Sequence, residues 1–312
     1  MTAGTRPTEP GPGQARDLPL DAHLHTDLSP DSDVPLDLYA AQAVQLGIAE
    51  LAVTDHLDFN PAAPAFAYAE FARRERVVRT AAERWGDRVA IRFGVEVTYE
   101  RAYEDAISDH LARHAYDYII GSVHAMKYSP YTAGRVGSFV AGKTVPQVVA
   151  PYFEEVAAAV RSGLFDTIGH LDYVKKYVAA HVPPPELAAH PEVYEPVLRL
   201  LVETGTALEV NSSGLRQAPR ETYPAGWVVA RFRELGGERV TAGSDAHRAD
   251  WFAYGLEEAY RLAAEAGFDR LTIPHTSVPG GGASEIPMPA RFGRGDRPGS
   301  LRGAPGGGGQ RA

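Results

Sequence analysis

The chain has 312 residues, 44% of them hydrophobic, so it can bury a substantial core as one large α/β domain or two smaller ones. Its formal charge of -9 argues against general nucleic-acid binding, because polyphosphate backbones are drawn to basic surfaces. The absence of cysteine excludes disulfides, thiolate metal sites, iron-sulfur clusters and cysteine nucleophiles, so any metal must be held by His, Asp, Glu or Asn.

Residues 1–17 are rich in Pro, Gly, Thr and charge and are expected to form a disordered tail. They lack the apolar stretch of a signal peptide, and no later run is long and apolar enough to span a bilayer. A cytoplasmic protein is therefore expected. Leu18 to His25 reads as a first strand, with a helix over about Pro35 to Leu46 closed by Gly47.

A unit then repeats in kind: a short apolar β run, a polar residue at its end, and a helical stretch. Ile48 to Thr54 delivers Asp55 and His56, ahead of a helix over Ala67 to Trp85. Val89 to Val95 delivers Glu96, and a shorter helix runs to about His114. Tyr118 to Val123 delivers His124, Val145 to Arg161 is helical, and Phe165 to Gly169 delivers His170. A helix over Glu192 to Thr204 precedes the strand Thr206 to Val210, which delivers Asn211. Pro224 to Leu235 is helix, Val240 to Ser244 is strand, and Asp245-Ala246-His247 follows. The last helix covers Ala249 to Ala266, with Leu271 to Ile273 a candidate closing strand.

Seven β/α steps predict a parallel barrel over residues 18–275, with its chemistry at the C-terminal ends of the strands. An open doubly wound sheet would gather ligands near one switch point instead, and no GxGxxG follows the first strand. Two long connections, about Ala125 to Thr144 and Asp172 to Pro191, are candidate lids. Residues 276–312 turn to Gly and Pro and are expected to be a disordered tail.

Of eleven histidines, His23, His25, His56, His124, His170 and His247 fall at predicted strand ends. His23 and His25 are one residue apart on a strand and so point to the same side. With Glu96 and Asp245 the rim carries eight nitrogen or carboxylate ligands, enough for two or three divalent ions, and burying such a cluster without metal would be costly. His110 and His114, an i,i+4 pair beside Asp109 and Arg113, are read instead as a solvated helix face.

In sequence and order, Asp21-Ala22-His23-Leu24-His25-Thr26, Thr54-Asp55-His56, Gly94-Val95-Glu96, Gly121-Ser122-Val123-His124, Gly169-His170 and Gly243-Ser244-Asp245-Ala246-His247 resemble the polymerase-and-histidinol-phosphatase (PHP) family. The segment Glu209 to Arg216, with Tyr223-Pro224 after it, is similar to the monofunctional histidinol-phosphate phosphatases of that family. The resemblance implies a distorted, TIM-like (β/α)7 barrel carrying two or three divalent ions of zinc, manganese or iron. Carried over residue by residue, it implies that His23, His25, Glu96 and Asp245 surround one ion and that Glu96 bridges to a second held by His124 and His170. His56 and His247 would belong to the third. The family usually has a histidine where this chain has Asp31. A carboxylate also binds such metals, but the exchange leaves the third ion's identity and occupancy open.

The chemistry so implied is attack of metal-activated hydroxide on a small phosphomonoester, with Glu96, Asp245 and His247 in the catalytic roles. Ser122, Ser212 and Ser244 form no triad by spacing and are read as supporting residues. Arg216 is the expected phosphate clamp, with Arg220, Lys127 and Asn211 as further substrate-binding candidates. Asp55 or Asp21 is expected to orient a ligand imidazole. The implied reaction is hydrolysis of L-histidinol phosphate in histidine biosynthesis. Alternatives are a phosphoesterase of nucleotides or oligonucleotide ends, an amidohydrolase-type enzyme, for which no strand-end lysine is present, and a non-catalytic metal-binding module. Membrane association is not expected, and the oligomeric state stays open.

Overall fold

Strands covered by helices are buried on both faces, which is why the apolar runs read as nearly continuous. In the computed structural model, which describes residues 18–125, 129–274 and 282–292, these runs become β1 (Leu20–Leu24), β2 (Glu50–Val53), β4 (Ala90–Thr98), β5 (Tyr118–Ser122), β6 (Thr167–Ile168), β7 (Ala207–Asn211) and β8 (Val240–Gly243). They pair in parallel in chain order, and a two-residue strand, β3 (His56–Leu57), lies beside β4. Between β8 and β1 the ring closes through the site motifs themselves. The Asp245 amide donates to the His23 carbonyl at 2.7 Å, and the His25 amide donates to the Ala246 carbonyl at 2.9 Å. The result is a nearly closed seven-stranded barrel.

Helices surround the ring: α1 (Leu36–Leu46), α2 (Phe71–Trp85), α3 (Glu104–Arg113), α4 (Val136–Val140), α5 (Val145–Ser162), α6 (Val174–Val178), α7 (Pro184–Ala188), α8 (Glu195–Thr204), α9 (Gly226–Glu234) and α10 (Leu256–Ala266). In α5 the sequence signals are clear: Thr144 and Gln147 form a capping box, and Pro sits in the first turn, where its missing N–H costs nothing. Its inner face buries Val148, Val149, Tyr152 and Val156 among others, each contributing about 1.5–3 kcal/mol on leaving water. That packing holds β5 and β6, and therefore the turns carrying His124 and His170. Among the described residues no helix is long and apolar enough to cross a membrane.

Three expectations change. Leu271 to Ile273 does not close the barrel; it lies in β9 (Arg270–Pro274), which pairs antiparallel with β10 (Ala283–Pro287) in a separate two-stranded sheet. Part of the supposed C-terminal tail is thus folded, because Ala283-Ser284-Glu285-Ile286-Pro287 supplies backbone partners to a strand that would otherwise leave them unmet. The expectations for residues 1–17, 275–281 and 293–312 lie outside the described residues. The two long connections are not plain loops: α4 occupies one, and α6 and α7 the other.

Candidate active site

Strand ends converge in a barrel, so residues far apart in sequence meet over its C-terminal mouth. His23 and His25 come from the end of β1, His56 from β3, and Glu96 from β4. His124 and His170 follow β5 and β6, while Asp245 and His247 follow β8. His170 and Asp245 take positive φ values, 24° and 52°, that non-glycine residues rarely adopt. Such backbone strain is held at both positions by amide hydrogen bonds into the barrel.

Glu96 lies at the centre. Its Oε2 is 3.5 Å from Nε2 of both His23 and His25 and 2.8 Å from His56 Nδ1. Its Oε1 is 2.8 Å from His170 Nε2 and 3.6 Å from His124 Nε2. Asp245 Oδ1 approaches His25 Nε2 at 3.5 Å and His23 Nε2 at 3.9 Å. Asp31 Oδ2 faces Nε2 of His247 at 3.2 Å and of His56 at 3.4 Å.

The donors fit divalent cations. His23 Nε2 and His25 Nε2 point at each other across 3.1 Å, although at most one of two neutral rings can offer a proton there. Glu96 Oε2 is buried without a hydrogen bond of its own despite the three nearby nitrogens. A cation among these lone pairs removes both conflicts. Four overlapping groups have ligand atoms close enough to share an ion: His23 with His25 and Asp245; His23 with Glu96 and His170; His56 with Glu96 and His124; and His25 with His56 and His247.

Oxygen atoms back several rings on their other nitrogen: Ser29 Oγ for His25 at 3.3 Å, Thr98 Oγ1 for His124 at 3.0 Å, and the Asp245 carbonyl for His247 at 3.1 Å. Burial alone would raise the Glu96 carboxyl, but the imidazoles of His56, His23 and His124 and the hydrogen bond to His170 hold it well below the carboxylate range. Asp245 is held low against its burial in the same way, chiefly by His23. Burial, followed by the charges of His247 and His56, drives His25 well below the usual histidine value, and burial takes His124 down to about 3. Both rings are therefore neutral near pH 7, the form that binds metal.

A family model described as the PHP domain matches residues 21–213. The chain belongs to the PHP family. Relatives align along nearly their whole length. A probable histidinol-phosphatase of Deinococcus radiodurans is 28% identical over 83% of this chain and 97% of its own. A histidinol-phosphatase of Lactococcus lactis is 26% identical over 81% and 93%. The crystal structure of L. lactis histidinol phosphate phosphatase complexed with zinc, L-histidinol and phosphate superposes with a TM-score of 0.72 at 24% identity, covering 82% of this chain and 96% of that one, which establishes the fold.

The PHP barrel opens into a cavity of about 530 Å³ over the cluster, and here the substrate-facing expectations are redrawn. Arg216 does line it, but two of its nitrogens donate to the carbonyls of Ser244 and Asp245 at 2.8 and 2.6 Å, so it also braces the turn that carries Asp245. Asn211 is fully buried and does not line the cavity. Its Nδ2 donates to Glu209 and its Oδ1 accepts from the Ser213 amide, so it supports the site from behind. Arg220 is exposed on a turn at φ 60°, away from the cavity lining. Lys127 lies outside the described residues.

Lys176, which has no motif around it, is the cation that the sequence reading missed. It lines the cavity from α6, its Nζ donating to the Tyr173 hydroxyl at 2.5 Å, and burial lowers its pKa. The one hint was its place in a long connection six residues after His170. Asp21 and Asp55 also differ from expectation. Asp21 accepts from the Ser244 amide and hydroxyl, and Asp55 from the Thr26 amide and hydroxyl, so each fastens a site turn and touches no imidazole. His110 and His114 are not a solvated face: both are half-buried and in contact with each other, with His114 stacked on Phe71 and His110 edge-on to Phe59.

Proposed function

We propose that this PHP barrel is a divalent-metal-dependent phosphomonoesterase that converts L-histidinol phosphate and water to L-histidinol and phosphate. The observation that carries the reading is the buried Glu96, encircled by five imidazoles beneath a cavity that also receives Lys176 and Arg216. The histidinol-phosphatase relatives, matched almost end to end, support the substrate.

We assign one ion to His23, His25, Asp245 and Glu96, a second to Glu96, His124 and His170, and a third to His56, His247 and Asp31. Nitrogen and carboxylate donors suit zinc, manganese or iron. When bound, such ions polarise the phosphate ester and bring the pKa of water into the neutral range. The two oxygens of Glu96 spread one negative charge between the first two groups. The Lys176 ammonium, fixed by the Tyr173 hydroxyl, opposes the dianionic phosphate, and Arg216 keeps Asp245 aimed while presenting positive charge to the same cavity. The serines near the site supply no nucleophile. Ser244 Oγ is tied to Asp21, Ser212 Oγ donates to the Tyr254 carbonyl, and Ser122 is buried and does not line the cavity.

The test is a phosphate-release screen of the purified protein with zinc, manganese and iron added separately. The panel holds L-histidinol phosphate, nucleoside monophosphates and phosphorylated oligonucleotides. Histidinol phosphate is expected to be turned over best; release from nucleotides with none from histidinol phosphate overturns the substrate assignment.

A further inference from the structure

A metal-binding histidine is aimed by whatever its other ring nitrogen touches, and at His23 that partner is a residue with no place in the ligand set. Glu209 sits in the middle of β7, fully buried, with its side chain inside the barrel. Its Oε1 is 2.7 Å from His23 Nδ1. Its Oε2 accepts from the His170 backbone amide at 2.7 Å and from Asn211 Nδ2 at 3.1 Å. Among the described residues neither oxygen belongs to a group of converging metal ligands.

The backbone beside this carboxylate is closely packed, and at Gly243 a side chain would run into both His23 and Glu209. A Cβ on Gly243 would lie 2.7 Å from Glu209 Oε1 and 2.3 Å from His23 Cβ, and one on Gly169 would meet Ser122 Oγ at 2.6 Å and Glu209 Oε2 at 3.4 Å. Both glycines stand directly beside the site, one ahead of His170 and one two residues ahead of Asp245. One anionic group thus reaches two ligands from different strands, touching the ring of one and the strained backbone of the other.

We infer that Glu209 is a positioning residue for the metal centre: it keeps the His23 proton on Nδ1, leaving the Nε2 lone pair for metal, and holds His170 at its positive φ. Three donors point at its two oxygens, so the position requires acceptors at both ends. Glutamine has the same shape but only one acceptor. Its amide nitrogen must oppose either the His23 Nδ1–H or the His170 N–H, donor against donor.

The inference rests on reading the rim as a metal centre, and the test separates the two. Zinc and manganese affinities of wild-type protein and E209Q are measured by competition with a chromogenic chelator, alongside thermal unfolding of both proteins without metal. E209Q is expected to bind metal about 10–100-fold more weakly, the usual cost of losing such a supporting partner. A purely structural role would lower the unfolding temperature and leave affinity unchanged, and that result overturns the inference. Wild-type protein that takes up no metal overturns the metal reading itself. If E209Q does not fold, the zinc-loaded wild-type protein decides by NMR. The His23 Nδ1 proton is expected to be protected from solvent exchange, and an unprotected or absent proton there overturns the assignment.

Discussion

Two sets of histidines in this protein can be set side by side: the six at the barrel mouth, and the pair His110 and His114 on α3. At the mouth the rings turn their nitrogens toward one another and toward Glu96, Asp245 and Asp31, with oxygen atoms behind several of them. On α3 the rings pack against aromatic side chains and, among the described residues, face no carboxylate cluster. His114 stacks on Phe71 at 4.3 Å, His110 packs edge-on to Phe59, and His110 Nε2 meets the Tyr116 hydroxyl at 3.0 Å. Among the described residues the α3 pair joins no group of converging ligands. Spacing that permits chelation is therefore a poor guide by itself. What distinguishes a metal centre is a buried carboxylate that several lone pairs share.

The sharpest way to break that contrast is to remove the shared charge. Glu96→Gln is expected to lower phosphate release from histidinol phosphate by on the order of 10³-fold and to cut the bound metal measured by elemental analysis. His110→Ala is expected to change neither quantity. Next in size, Lys176→Met removes one of the two cations lining the cavity without touching a ligand. A loss of about 10–100-fold in kcat/KM, carried mainly by KM, is expected at unchanged metal content. Thr98→Val takes away only the oxygen behind His124 Nδ1, so a weakening of metal binding of about tenfold or less should appear in chelator competition.

The smallest effect belongs to α3. Burial, then the nearby His114 and Arg113 charges, lower the His110 pKa from 6.5 to about 4. The unfolded chain therefore takes up this proton first as pH falls, and the stability contributed by neutral His110 is full above pH 6.5 and lost toward pH 4. Because the ring is only half-buried, about 1 kcal/mol is expected. Denaturant melts of metal-free protein across that range should show a decline that His110→Phe reduces.

The same contrast explains what the sequence made legible. Apolar runs that end abruptly in His, Asp or Glu are readable because nothing about strand packing favours those residues there, and all nine predicted ligand residues meet in one place. Glu209 left a signal that went unread: an acidic residue inside the apolar run Ala207-Leu208-Glu209-Val210 has to find buried donors. Lys176 left almost none, since a lysine in a connection looks the same whether it faces solvent or a cavity. Arg216 was found, but its bonds to two carbonyls depend on how the turn after β8 folds back. Strand β10 was hidden by composition, because five strand residues between Gly- and Pro-rich stretches average out to a tail.

The central claim is that the mouth cluster works as a metal centre acting on a phosphomonoester. It is tested most directly by stripping the purified protein with a chelator and titrating zinc or manganese back while following phosphate release from L-histidinol phosphate. The account predicts that activity vanishes with the metal and returns in proportion to the ions rebound, with His25→Ala failing to recover. Full turnover by the metal-free protein, or by His25→Ala, would contradict it.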